Sequence, residues 1–237
     1  MNSAIRLTLT ALLIISITSC SSVLAPQPDR TQFFVLAASA DSVAAGSRAF
    51  SASGPLVGVG PVLIPDYLQR SAIATRVGRS QVRYSHVNRW AEPLEECFPR
   101  VLAQDLSNSL SSSRVILFPW PGNIRVDYQV QVSVERFELT SQGQAVLAAR
   151  WLISDPQTGK IIVSGDAQES QSAGTDAATG TAALSQALAA MSESLALRIA
   201  QLPHAAQQAR RRAFAASEAV FSFIGEPVHS RARVPAI

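Results

Sequence analysis

The sequence predicts an α+β domain: a largely antiparallel sheet, with a β-meander in its C-terminal half, and two main helices packed on one face. Three observations predict it. Leu94, Phe98, Leu102, Leu106 and Leu110 recur every four residues with Val101 beside them, which gives a helix one apolar face. Val126, Tyr128, Val130, Val132 and Val134 alternate with Asp127, Gln129, Gln131, Ser133 and Glu135, which gives a strand one core face and one polar face. Leu184, Leu188, Met191, Leu195, Ile199 and Leu202 then mark one side of a second helix. With 47% hydrophobic and 16% charged residues in 237, the chain can build such a core.

In chain order, residues 1–19 read as an export signal: Arg6 in a short positive region, an apolar run from Leu7 to Ile17, then small polar residues. The run is too short to span a bilayer as a helix. Its end, Ile17-Thr18-Ser19-Cys20, resembles the lipobox of bacterial lipoproteins, which implies that Cys20 becomes a lipidated N-terminus. Ser21 rather than Asp after the cysteine resembles the pattern of lipoproteins sent to the outer membrane. An ordinary signal peptide cut near Ala25 is the alternative. Residues 20–31, with two prolines and no periodicity, read as an extended tether.

Residues 32–202 form the predicted domain. QFFVL at 32–36 is the first strand candidate, and the Ala, Ser and Gly of 37–54 read as a loop. Residues 55–65, PLVGVGPVLIP, read as a strand whose Gly58 and Gly60 let something pack close; a phosphate-cradling loop would need a third glycine where Leu63 stands. Residues 73–84 suit a hairpin turning at Gly78. Asn88 to Pro93 then read as the start of the first helix, with Glu92, Glu95 and Glu96 at the positive end of its dipole. Burying the five apolar side chains of this helix is worth roughly 1.5–3 kcal/mol each as an upper estimate. Pro99 removes the bond to the carbonyl of Glu95, so a kink or a separate first turn is expected there. Residues 114–118 read as a short buried strand closed by the Pro119-Trp120-Pro121-Gly122 turn.

Within the long alternating strand the phase slips at Arg136, because Phe137 and Leu139 continue the apolar set one residue late, and a slip of this kind indicates a bulge. Leu147, Ala149, Trp151 and Ile153, then Ile161, Val163 and Gly165, complete the meander. The second helix takes Thr175 or Asp176 as its cap and ends before Pro203. Residues 203–237 read as an extension, partly helical or disordered, with Arg210-Arg211-Arg212 preceding several apolar residues.

The formal charge of +3 is unevenly spread. Subtracting the five Arg and two Glu of 203–237 and the one Arg of the leader leaves 14 basic against 15 acidic residues in 20–202, a balance unlike that of a nucleic-acid-binding domain. The three histidines, His86, His204 and His229, have no partner at metal-ligand spacing, so neither a metal nor a cofactor is expected. Once Cys20 is lipidated, Cys97 has no disulfide partner in the chain. No nucleophile elbow is present, and Glu95 and Glu96 face different ways on a helix, so no catalytic activity is expected.

The lipobox, the segment GPVLIPDYL at 60–68, the segment RWAEPL at 89–94 and the long meander together resemble the ABC-type transport auxiliary lipoproteins, the PqiC-like family associated with MCE-domain proteins. The matching segments spread over residues 32–202, and Arg76 is the candidate for an arginine that the family pattern places after the Tyr-Leu pair. The resemblance implies a non-catalytic outer-membrane lipoprotein working with MCE-domain proteins and their permease complex in lipid transport. It leaves homo-oligomerisation open. The candidate partner surface is Pro65, Tyr67 and Leu68 with Trp90 and Glu92, the two aromatics being open to a core role instead. A scaffold for another envelope machine, such as a secretin or lipopolysaccharide exporter, is the alternative function.

Overall fold

A computed structural model describes residues 28–39 and 54–202. Residues 1–27, with the expected leader, Cys20 and most of the expected tether, residues 40–53, and residues 203–237, with the expected extension, lie outside the described residues. The chain divides into two units, Met1–Thr31 and Gln32–Ile237, and the second holds every element named below.

Among the described residues eight strands and two helices follow one another: β1 (Gln32–Phe34), β2 (Val57–Leu63), β3 (Ala72–Arg76), β4 (Val82–Trp90), α1 (Leu94–Ser109), β5 (Val115–Leu117), β6 (Tyr128–Thr140), β7 (Gln144–Ser154), β8 (Ile161–Ser172) and α2 (Ala177–Gln201). This is the expected α+β fold. The antiparallel ladders β6/β7, β7/β8 and β3/β4 hold most of the registered residues. Shorter parallel pairings of β2 with β5 and β6, of β3 with β6 and of β1 with β4 complete a single mixed sheet.

The sheet branches at β6. One edge of this 13-residue strand is taken along its length by β7. The other edge is shared: Val57–Leu63 runs beside Tyr128 to Ser133, and Thr75–Arg76 beside Leu139–Thr140. The register with β7 shifts between Val134 and Arg136, which is the bulge that the slip in apolar phase predicts.

Both helices pack on one another and on the same sheet face. Leu94, Phe98, Leu102 and Leu106 of α1 are buried, and Leu110 caps the helix half-buried. Leu184, Leu188, Met191, Leu195 and Ile199 of α2 are fully buried, and Asp176 caps that helix by accepting a hydrogen bond from the Thr179 N–H at 2.9 Å. Phe137 sits at the centre, edge-on to Phe98 at 5.3 Å and stacked with Trp90 at 6.3 Å between ring centroids.

Three expectations need correcting. Asn88 to Trp90 do not start the helix; they end β4, in register with Gln32, Phe33 and Phe34, and the Trp90 N–H donates to the Ser71 carbonyl at 2.6 Å. Pairing on both sides satisfies the backbone groups that a helix start would leave open. Pro99 does not split off a first turn: α1 runs through it from Leu94, with Pro93 at the cap and Glu95 and Glu96 in the first turn. The short strand after α1 is not buried. As β5 it forms an end of the sheet, and Leu117 is 40% exposed.

Candidate partner interface

Sharing one edge of β6 between two strands leaves a gap. From Val134 to Glu138 that edge has no strand beside it, and this stretch contains the bulge. The chain between β2 and β3 covers the gap with one tight turn at Asp66–Leu68, closed by the Leu68 N–H donating to the Pro65 carbonyl at 2.8 Å. The Gln69 side-chain amide donates to the Ile64 carbonyl at 3.2 Å and holds the two ends of the turn together.

Tyr67 connects this turn to the gap. Its hydroxyl donates to the carbonyl of Glu135, the bulge residue, at 3.2 Å, and its own carbonyl accepts from the Tyr84 hydroxyl at 3.0 Å. Next to it lies Glu138, whose side chain is fully buried although it belongs to the polar half of the β6 pattern. Two arginines neutralise it. Arg76 places its guanidinium fork on both carboxylate oxygens, with Nη2 to Oε2 at 3.2 Å, and Nη1 donates to the Arg79 carbonyl at 3.2 Å. From its own strand, Arg136 donates through Nε to Oε1 at 2.9 Å. The fork geometry suits arginine and would be lost with lysine. The Arg76 guanidinium also lies 5.9 Å from the Tyr67 ring centroid.

Burial, followed by the negative charge of Glu138, pushes the Tyr67 phenol up to about 12, so it remains a hydrogen-bond donor at any physiological pH. The hydrogen bond to Glu138 likewise raises Arg76 above its ordinary value. The assembly is thus one buried anion between two partly exposed cations, with a neutral phenol beside them.

The five candidate interface residues separate into two groups. Leu68 and Trp90 are 2% and 5% exposed and belong to the core. Trp90 offers nothing to a partner because its ring is spent on Phe137. Pro65 and Tyr67 are half-buried on the turn, beside the exposed Asp66. Glu92 is half-buried and pairs with Arg100 on α1. Arg136 and Glu138 were missed by sequence reasoning, since a glutamate on the polar face of a strand reads as solvated. The slip in phase beside it was the available signal. Cys97 is fully buried, and burial pushes its thiol up to about 11, a setting unlike that of an activated nucleophile.

The glycines of β2 do let other groups pack close. The space for a Cβ on Gly58 is filled by the Trp120 ring, 2.5 Å away, and Phe118 stands 2.9 Å from the corresponding point on Gly60. Phe118 and Trp120 meet edge to face at 5.5 Å, so the turn after β5 folds back over β2.

Two helices thus lie on one face of a branched mixed sheet that carries a strapped bulge and a doubly paired buried glutamate; among the described residues no group of three His, Cys, Asp or Glu side chains is placed to hold a metal ion. By sequence the family is plain. Residues 34–196 match the family described as the ABC-type transport auxiliary lipoprotein component, and the chain belongs to it. Among solved structures, the fold is similar to that of an uncharacterized protein (TM-score 0.58, 20% identity, 71% of this chain and 98% of the other). It is also similar to XCC0632 from Xanthomonas campestris (TM-score 0.54, 16% identity, 69% and 92%). No curated protein matches the chain by sequence.

Proposed function

We propose that this lipoprotein is anchored through Cys20 in the outer membrane, faces the periplasm, and serves without catalysis as an auxiliary component of an MCE-type lipid transport system. The observation that carries the reading is the family match over residues 34–196, taken with the Ile17-Thr18-Ser19-Cys20 lipobox ahead of it. Several acyl chains on Cys20 give lasting attachment, because each buried methylene contributes about 0.8 kcal/mol and one chain alone is marginal. In this reading the turn carrying Pro65 and Tyr67, together with Glu92, meets an MCE-domain protein or its permease complex. Strapping the turn to the bulge orders it before binding, which lowers the entropy lost on docking.

Two experiments test the reading. Palmitate labelling should disappear in Cys20→Ala, and continued labelling would sink the lipid anchor. Affinity purification of the full chain from membranes should recover MCE-domain proteins, less so with Tyr67→Ala. Recovery of secretin or lipopolysaccharide-export components in their place would favour the scaffold alternative.

A further inference from the structure

One long edge of the sheet has no strand beside it. Among the described residues β8 pairs with β7 alone, from Ile161 to Ser172. The direction of its free groups follows from the ladder. The Ala173 N–H donates to the Gly143 carbonyl at 2.8 Å, and bonded and non-bonded pairs alternate in an antiparallel ladder, so Val163, Gly165, Ala167, Glu169 and Gln171 spend their main-chain groups on β7. From the other end, the Asp155 N–H donating to the Lys160 carbonyl at 2.9 Å gives the same phase once the register shift at Ile161 is counted. The N–H and C=O groups of Ser164, Asp166, Gln168 and Ser170 therefore point away from β7, and all four residues are exposed.

The other open edges of the sheet are blunted. β1 and β5 are three residues each, Pro61 interrupts β2 past the end of β5, and the part of β4 beyond β1 carries Arg83. From 161 to 172 there is no Lys, Arg or Pro, and the register with β7 runs unbroken from Val163 to Ser172. The strand carries negative charge in their place, Asp166 and Glu169. Glu169 forms no ion pair among the described residues, and Asp166 stands 3.7 Å from Arg150, which is nearer to Glu135 at 3.0 Å.

We propose that the open edge of β8 docks an extended segment of a partner protein as an added strand, with lysine or arginine opposite Asp166 and Glu169 and aliphatic side chains beside Ile161 and Ile162. Main-chain pairing supplies the affinity, and the two carboxylates select a basic segment. The same charges turn away a second copy of the chain. Two β8 edges paired at full overlap would set Asp166 opposite or diagonal to its own counterpart, which is destabilising. The site lies on a different strand from the turn carrying Pro65 and Tyr67, and it stands whether or not the lipid anchor and the transport partners proposed above are right.

The test uses the full chain purified in detergent, with dye-labelled octapeptides that alternate valine with lysine, or valine with glutamate, as probes. Amide hydrogen exchange, read residue by residue by NMR, should find Ser164, Asp166, Gln168 and Ser170 fast in the free chain and Gly165, Ala167 and Glu169 slow. The lysine peptide should slow the first group, and the glutamate peptide should leave it fast. Gln168→Pro takes away one outward N–H and no bond to β7, so the melting temperature should hold while binding of the lysine peptide, followed by fluorescence anisotropy, weakens about tenfold. Asp166→Lys should shift the preference from the lysine peptide towards the glutamate peptide. Binding that leaves the four amides fast, or that survives Gln168→Pro undiminished, is attraction between charges without strand addition and overturns the proposal. So does a lysine peptide that fails to bind at millimolar concentration. Protection of the four amides in the free chain overturns it as well: protection that rises with protein concentration shows a second copy on the edge, and protection independent of concentration shows the chain covering it by itself.

Discussion

Replacing Arg76 by alanine removes the bidentate partner of a carboxylate that has no access to water. Stripping one partner from a buried ion pair costs about 3–5 kcal/mol when the remaining charge is left uncompensated. Arg136 still reaches Oε1 of Glu138, so the lower end applies, about 3 kcal/mol. For a domain of this size that corresponds to a fall of about 6–12 °C in the melting temperature. The contact that Arg76 makes with the Arg79 carbonyl does not involve Glu138, so part of the loss should persist when Glu138 is neutral. In a Glu138→Gln background the Arg76→Ala penalty should therefore shrink to about 1 kcal/mol, giving a coupling near 2 kcal/mol. Urea titrations of the wild type, both single variants and the double variant measure all four corners of the cycle. A single-variant loss below 1 kcal/mol, or a cycle in which the two changes simply add, would refute the role assigned to this pair.

Three further outcomes are expected. Trp90→Ala should lower stability by about 3–5 kcal/mol, the range for emptying a large aromatic site, and denaturant unfolding measures it; a near-neutral change would return Trp90 to the surface. Gly58→Ala places a methyl group against the Trp120 ring and should destabilise by about 1–3 kcal/mol, with much of the loss recovered when Trp120→Ala is added, as thermal melts of the pair would show. Asp105 is 1% exposed and its pKa is raised by burial, partly opposed by the hydrogen bond from the Ser39 N–H at 2.8 Å. Since the folded pKa lies above the unfolded one, ionisation disfavours the folded state: the penalty is absent below the unfolded value, grows as pH rises from there to the folded one, and is complete above it. Asp105→Asn should accordingly gain stability relative to wild type at pH 7 and lose that advantage near pH 3, which melts across this range would reveal.

Legibility from sequence followed the strength of the local signal. The faces of both helices were readable because burial at Phe98, Leu102, Leu106 and at Leu184 to Ile199 imposes a helical period. The cap at Asp176 and the bulge beside Arg136 were readable because each leaves a mark in a few adjacent residues. Asn88 to Trp90 misled because a polar residue, an aromatic and a proline in sequence suit the start of a helix, while their strand pairing comes from Phe33 and its neighbours more than fifty residues earlier. The parallel alignment of β2 with β6 left no trace, since alternation of side chains is the same for either direction. Nor could the composition of the cluster be read: Arg76 and Glu138 are 62 residues apart, and the slip in phase beside Glu138 marks a bulge without showing that the carboxylate is buried. Tyr67 stood out only through the family resemblance, which gives no contacts.

The divided edge of β6 has a consequence for how the chain tolerates changes in length. From Leu63 to Thr75 is twelve peptide steps, while the β6 residues opposite, Ser133 to Leu139, are six. Six steps of strand span about 20 Å, so the connection carries nearly twice the chain it needs to reach. That slack leaves the plane of the sheet as the turn at Asp66–Leu68. Residues inserted there lengthen an excursion that already exists and leave both ladders in register. One residue added to β6 itself would shift every partner beyond it on two edges at once.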